Sequence, residues 1–100
     1  MLVVAGTMEV DPDQREAFLA GRQEAVMAVR TEPGCLDYIF SADPYDPALV
    51  RLFERWDSKE ALAAHLAGMA TGGQAGGGPS PVRGVDILQY TISEVGPLGS

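Results

Sequence analysis

The stretch that decides the fold runs from residue 32 to residue 69 and reads EPGCLDYIFSADPYDPALVRLFERWDSKEALAAHLAGM. Two runs rich in aromatic and β-branched residues, 35–42 and 49–56, flank the turn-forming DPYDP at 43–47. Such runs predict two strands that pair as an antiparallel hairpin. A helix is expected next, because Ser58 suits an N-cap and apolar residues then recur at helical spacing. The stretch therefore predicts a β-β-α unit.

The segment before this unit predicts a strand followed by a helix. Residues 2–10, LVVAGTMEV, are apolar and β-branched without a helical period, which is typical of a mostly buried strand. Asp11 then suits an N-cap and Pro12 the first helical position. From Phe18 onward, mostly apolar residues recur at three- and four-residue spacing and would form one face of a helix. This helix is expected to run to about Thr31.

The segment after the unit predicts a loop and a last strand. The second helix is expected to end at Gly72-Gly73, within a flexible glycine-rich loop at 71–84 that reads TGGQAGGGPSPVRG. This loop has neither a GxGxxG nor a Walker pattern, so it gives no sign of nucleotide binding. Residues 85–95 alternate in polarity and predict a strand. The closing GPLGS, 96–100, is treated as a tail outside the fold.

The predicted order βαββαβ indicates an α+β fold of the ferredoxin-like type, a four-stranded antiparallel sheet with two helices on one face. A chain of 100 residues has room for one domain, which we place at 1–95. These elements use up the chain and leave the other face of the sheet uncovered. The strands carry apolar residues on both faces, so two sheets packed face to face are expected, as a homodimer.

Composition and charge exclude several classes of function. With 46% hydrophobic and 21% charged residues, the chain has the composition of a globular protein. Its formal net charge of −7 makes nucleic acids and anionic membranes poor partners, and a small molecule is the easier ligand. No apolar run approaches the roughly 18 residues that span a bilayer, and no signal peptide is evident. A cytoplasmic location is expected by default, and the lone Cys35 cannot form an internal disulfide.

Trp56 and His65, the chain's only tryptophan and only histidine, are the first candidates for chemistry. Trp56 ends the third strand and His65 lies on the apolar side of the second helix, so both are expected to point between the sheet and the helices. Apolar neighbours favour a neutral imidazole, which suits a base or a hydrogen-bond partner. The alternative is a core histidine whose ring nitrogens are satisfied by backbone or by a buried acid.

Other side chains are expected around this pair. Glu54 shares a strand face with Trp56, so its carboxylate needs a partner: His65, a tyrosine, or Arg22 in a structural ion pair. Aromatic and apolar residues could form a substrate pocket or simply pack the core. Those expected at the pocket are Phe18, Tyr38, Phe40, Met69 and Tyr90.

Other kinds of site lack the residues that they need. One histidine and one cysteine, widely separated and without HxxxH or CxxC, do not supply the three or four ligands of a zinc or iron site. There is no GxSxG nucleophile elbow and no cofactor motif. We therefore expect no metal and no cofactor, and in an enzyme of this kind the substrate must supply the reactivity.

Residues 32–69 resemble the antibiotic biosynthesis monooxygenase (ABM) family. Its members typically show a Glu-Pro-Gly-Cys turn, a Tyr in the next strand, a Glu-x-Trp ending the third strand and an Ala-Leu-x-x-His-Leu helix. The matching residues here are Glu32 to Cys35, Tyr38, Glu54 with Trp56, and Ala61 to Leu66. The resemblance implies a homodimeric α+β barrel with a small-molecule cavity between sheet and helices in each subunit.

The resemblance also implies an activity. Characterised members include cofactor-independent oxygenases that convert anthrones or hydroquinones to quinones, in which a deprotonated, electron-rich phenol reacts directly with dioxygen. By this resemblance, Trp56 and Tyr38 would orient an aromatic substrate, and His65 would assist deprotonation or proton return. The alternative is a non-catalytic, dimeric small-molecule-binding or stress-related module of the same fold.

The chain departs from the family pattern at two places. The haem-degrading branch uses an Asn in the first strand, but that position falls at or beside Gly6 and the chain contains no Asn, so haem degradation is disfavoured. The family often continues after the His with a short helix bearing Ser and aromatic residues. Here residues 67–78 read AGMATGGQAGGG, which removes one wall of the expected pocket.

Overall fold

The computed structural model describes residues 1–72 and 81–99. Its elements, in chain order, are β1 (Leu2–Val10), α1 (Arg15–Gly21), α2 (Gln23–Val29), β2 (Cys35–Ala42), β3 (Leu49–Trp56), α3 (Lys59–Gly72) and β4 (Val82–Thr91). The strands form one antiparallel sheet in the order β2-β3-β1-β4. The predicted ferredoxin-like α+β fold is thereby confirmed. No helix in the described ranges is long and apolar enough to cross a membrane.

The first helical segment begins where the sequence predicts but is divided. The Asp11 side chain accepts a hydrogen bond from the backbone N–H of Asp13 and caps a short 3-10 turn at Pro12–Gln14. The single helix predicted to reach Thr31 is instead interrupted at Arg22 and ends at Val29. Gly21, a weak helix former, directly precedes the interruption and accounts for its place.

The hairpin of β2 and β3 forms at the predicted bounds. Its connecting turn is organised by Asp43, which is buried and accepts hydrogen bonds from the backbone N–H groups of Tyr45 and Asp46. The Arg51 guanidinium binds the same carboxylate at 2.6 Å, and these bonds hold the pKa of Asp43 below its ordinary value. The DPYDP segment is therefore a turn fixed by its first aspartate.

The C-terminal half corrects the bounds of the last strand and of the loop before it. Ser58 caps α3 as predicted, its Oγ accepting the backbone N–H of Ala61. β4, however, begins at Val82 and ends at Thr91, not at 85 and 95, because β1 offers pairing partners up to Val10. The predicted 71–84 loop is shortened at both ends, and its central residues, 73–80, lie outside the described part of the chain.

The two faces of the sheet have different environments. Helices cover one face, where the core cluster is Leu2, Val29, Tyr38, Trp56 and Leu62. On the other face, Ile39, Phe53, Ala5 and Leu88 pair across all four strands and form one row. The three large side chains of this row are between 37% and 58% exposed. The apolar outer face inferred from the sequence is thus present.

Candidate active site

A cavity of about 310 Å³ lies between the helix-covered face of the sheet and the helices. Its volume falls at the lower end of the range of ligand pockets, about 300 to 1,000 Å³. Leucine, isoleucine, valine, methionine and phenylalanine side chains supply most of the wall. The polar side chains that line it are Arg22, Tyr38, Glu54, His65 and Gln89. An apolar space with a few convergent polar groups is the form expected of a small-molecule site.

His65 is held on this wall by two contacts. Its Nδ1 lies 2.9 Å from Oε1 of Glu32, a residue of the turn between α2 and β2. Its ring stacks on the Trp56 indole, with 4.9 Å between the ring centres and 27° between the planes. A carboxylate can only accept a hydrogen bond, so Nδ1 carries the proton and Nε2 of a neutral ring is the proton acceptor. The arrangement fixes both the ring plane and the tautomer.

Trp56 and Glu54 form a buried pair beside the histidine. The indole Nε1–H donates to Oε1 of Glu54 at 2.8 Å. Burial raises the pKa of the Glu54 carboxyl, and the hydrogen bond from the indole opposes that shift. Of the partners considered from the sequence, neither a tyrosine, nor His65, nor Arg22 forms this bond. The partner of Glu54 is instead the indole of Trp56.

Tyr38 completes the polar part of the wall. Its ring meets His65 edge-on, with 5.6 Å between the ring centres, and lies 5.5 Å from the ring of Phe40. Burial raises the pKa of Tyr38 to about 12, with the Glu54 carboxylate adding to the shift and the Arg22 guanidinium opposing it. The phenol is therefore protonated at neutral pH and can act as a hydrogen-bond donor.

The structure brings most of the predicted site residues together. The cavity is lined by Tyr38, Phe40, Glu54, His65 and Met69. Trp56 is fully buried and lies behind His65, so it supports the imidazole and is not on the cavity wall. Phe18 packs against the Arg22 guanidinium, 5.6 Å from its ring centre, and is also absent from the wall.

The placement of Tyr90 at the pocket is corrected. β4 pairs with β1 in a register that puts Tyr90 opposite Val3 and Gln89 opposite Val4. Because successive side chains of a strand point to opposite faces, Gln89 faces the cavity and Tyr90 lies on the outer face. Tyr90 is 46% exposed there.

Three polar residues of the site were not predicted as site residues from the sequence. Glu32 lies 33 positions before His65, and only the fold brings them together. Its presence in the EPGC turn was the available signal. Arg22 was considered only as a partner for Glu54, although a charge on the apolar face of a helix already indicates an unusual environment. For Gln89, only the alternation of side chains along the strand could have indicated that it faces the cavity.

A metal centre has no ligand set in the described ranges. No group of three or more His, Cys, Asp or Glu side chains there is placed to hold a metal ion.

Cys35 is partly buried, and burial raises the pKa of its thiol, so the reactive thiolate is disfavoured.

Comparison of the sequence with known proteins identifies relatives. The profile of the family described as antibiotic biosynthesis monooxygenase matches residues 1–70. An uncharacterised protein of Synechocystis is 39% identical over 65 residues, which make up 65% of this chain and 44% of that protein. The match thus spans less than half the length of this curated relative.

Solved structures share the fold. A proposed antibiotic biosynthesis monooxygenase from Deinococcus radiodurans superposes over the full length of both chains with a TM-score of 0.76 at 22% identity. The haem degrader MhuD of Mycobacterium tuberculosis gives 0.74 at 21% identity, over 96% of this chain and all of that one. A Pseudomonas aeruginosa protein gives 0.70 at 26% identity, over 92% and 94%. With the family profile matching from residue 1 to residue 70, the chain belongs to the antibiotic biosynthesis monooxygenase family.

Proposed function

We propose that this protein is a cofactor-independent monooxygenase that oxidises an aromatic polyphenol, of the anthrone or quinol type, to a quinone with dioxygen. The observation that carries the proposal is the hydrogen bond between Glu32 and Nδ1 of His65, at 2.9 Å, on the wall of an apolar cavity. It makes Nε2 the proton acceptor, and a base is the one group that this chemistry requires from the protein.

The reaction balances without a further oxidant. For an anthrone, Nε2 of His65 takes a proton from the ring methylene, and the resulting anion gives its electrons to dioxygen as a carbon–oxygen bond forms. Loss of the second methylene proton breaks the oxygen–oxygen bond, leaving a carbonyl on carbon and releasing the other oxygen atom as water. For a quinol no oxygen atom enters the product: two protons and two electrons pass to dioxygen and give hydrogen peroxide, so on that substrate the protein acts as an oxidase.

The other residues of the wall have separate roles in this scheme. The Tyr38 phenol, protonated at neutral pH, donates a hydrogen bond to a substrate oxygen. Trp56 acts through His65, because stacking fixes the plane of the imidazole. The apolar side chains exclude water from the anion and from its adduct with dioxygen.

We also propose that two copies pack through the outer faces of their sheets. The exposed row of Ile39, Phe53 and Leu88 is a continuous apolar surface across the sheet. Exposed apolar surfaces of this kind mark interaction sites, and a self-complementary sheet face favours a second copy of the same chain.

A second candidate function is a non-catalytic module that binds a small molecule. The observation in its favour is that His65 is buried, bonded to Glu32 and stacked on Trp56, as a structural core histidine would be. Haem degradation, the activity named for MhuD, is not proposed. By the resemblance the family's Asn falls at or beside Gly6, and a side chain at Gly6 would overlap the Asp86 carbonyl oxygen.

The oxidation is tested with 1,8-dihydroxyanthrone and protein freed of metal by a chelator. Oxygen uptake and quinone absorbance are measured and corrected for the reaction in buffer alone. We expect His65→Ala to lower kcat by about 100-fold or more, the usual contribution of a general base. Glu32→Ala should lower kcat less, and Glu32→Gln should restore part of the loss, because the amide oxygen can still accept from Nδ1–H.

Two controls separate the candidate functions. Glu60→Gln removes an exposed carboxylate on α3 and should leave the rate unchanged. Without dioxygen, no quinone should form. Equal corrected rates for wild type and His65→Ala would refute the monooxygenase and leave the binding module.

A further inference from the structure

Arg22 is a cavity residue that has no counter-ion among residues 1–72 and 81–99. It lies at the interruption between α1 and α2 and lines the cavity. Its guanidinium carbon lies 5.0 Å from the ring centre of Phe40 and 5.6 Å from that of Phe18. Its Nε is buried and has no hydrogen-bond partner in the part of the chain that the structure describes. None of the ion pairs within residues 1–72 and 81–99 includes it.

No acidic side chain in residues 1–72 and 81–99 forms an ion pair with the Arg22 guanidinium. Buried N–H groups of charged side chains are almost always satisfied, so an orphan of this kind calls for a partner. Glu54, the carboxyl that lines the same cavity, is bonded to the indole of Trp56 and forms no ion pair with Arg22. The segment that the structure does not describe, residues 73–80, has the sequence GQAGGGPS and contains no acidic side chain.

From this juxtaposition we infer that Arg22 binds an anionic oxygen of the ligand, so that the cavity selects aromatic compounds carrying a carboxylate or an ionised hydroxyl. The inference rests on the proposed function for the aromatic part of the ligand, and it names the substrate class of that same site. Arg22 is then a specificity-determining residue.

The chemistry of the side chain suits this role. A guanidinium presents several N–H donors in one plane and bonds well to one or two anionic oxygens. The two phenyl rings hold it in place through cation–π contacts and keep water from it. The guanidinium also acts on Tyr38 at the cavity wall, where its charge and a hydrogen bond oppose the effect of burial on the pKa of the phenol. An anion bound beside it would supply the counter-ion that no described side chain provides.

The test uses two probes of matched shape, 2-naphthoate and 2-naphthamide, titrated into the full chain by calorimetry at pH 7. We expect wild type to bind the carboxylate about 10-fold more tightly than the amide, since a charge-assisted bond in a dry site replaces a neutral one. Arg22→Met, which keeps the apolar volume of the stem, should remove most of this preference. Arg22→Lys should retain part of it, because the charge remains but the planar fork is lost.

The matched control is Lys59→Gln. Lys59 is exposed at the start of α3 and does not line the cavity, so this variant removes the same unit of charge away from both the cavity and the outer face of the sheet. It should leave the preference for the carboxylate unchanged. Circular dichroism of each variant verifies the fold, and a misfolded Arg22→Met is replaced in the comparison by Arg22→Gln, which also removes the charge.

A second probe addresses ionised hydroxyls. 4-Nitrophenol is yellow only as the phenolate, so its visible absorbance reports the ionised fraction of the bound compound. Wild type should increase that fraction and Arg22→Met should not. If wild type prefers naphthoate to naphthamide but does not increase the ionised fraction of nitrophenol, the site is assigned to carboxylates. If it increases that fraction but shows no preference for naphthoate, the site is assigned to phenolates.

The inference is overturned if wild type shows neither response, if neither probe binds at millimolar concentration, or if Arg22→Met behaves as wild type. Its failure is distinguishable from failure of the proposed function. Anthrone oxidation without any preference for anions refutes the inference alone, whereas a preference for anions without oxidation refutes the monooxygenase alone.

Discussion

Glu54 shows how a single residue links the site to stability. Burial raises the pKa of its carboxyl above the ordinary 4.5, so the folded protein holds this proton to higher pH than the unfolded chain does. The stabilising contribution of the protonated group is complete below the unfolded pKa and is lost as the pH rises through the folded pKa.

We therefore predict that Glu54→Gln, neutral at every pH, gains stability relative to wild type as the pH rises from about 4 to 8. The amide oxygen can still accept the bond from Trp56. Urea unfolding at several pH values gives the difference in the free energy of unfolding, with the exposed Glu60→Gln as control. A difference that does not change with pH would contradict the prediction.

The residues of the site were only partly predictable. Strand alternation and helical spacing place Tyr38, Glu54 and His65 on the inner faces, because each rule concerns a single element. The bond between Glu32 and His65 joins two elements, and its prediction requires the path of the chain through the turn before β2. Trp56 was placed on the correct face, but whether it touches ligand or histidine depends on packing depth.

At the scale of elements, the close approach of β1 and β4 is set by Gly6. A Cβ atom there would overlap the carbonyl oxygen of Asp86 and lie 2.7 Å from Cα of Ile87. We predict that Gly6→Ala destabilises the protein by about 1–3 kcal/mol, the usual cost of overpacking. Thermal or urea unfolding measures it.

Gly21→Ala is the matched control for this variant. A Cβ atom at Gly21 meets nothing within 4 Å, and its φ is not positive. Alanine there should raise the free energy of unfolding by about 0.4–1 kcal/mol, because it lowers the conformational entropy of the unfolded chain. Equal effects of the two substitutions would show that β1 and β4 have room to separate.

Element order was predictable from the sequence, whereas element ends were less so. The capping residues Asp11 and Ser58 mark the starts of the 3-10 turn before α1 and of α3, because a cap is a local bond. The start of β4 at Val82 was missed, since glycine and proline around it indicate a loop while pairing with β1 extends the strand. At Val82, pairing with β1 outweighs the preference of the local sequence for a loop.

At the scale of the whole molecule, we predict a homodimer whose interface contains the outer row of the sheet. Phe53→Asp places a charge in the middle of that row and should give a monomer by light scattering at micromolar concentration. Met27→Asp, on the exposed side of α2, adds the same charge elsewhere and should remain dimeric. A monomeric wild type, or a dimeric Phe53→Asp, would refute this interface.

The stacking of Trp56 on His65 has a practical consequence. Since Trp56 is the only tryptophan, all indole emission of the protein comes from a ring in contact with the proposed base. Its fluorescence should respond when the imidazole gains a proton or when a ligand fills the cavity. The protein thus carries an intrinsic optical reporter of its own site, and turnover can be followed without an added label.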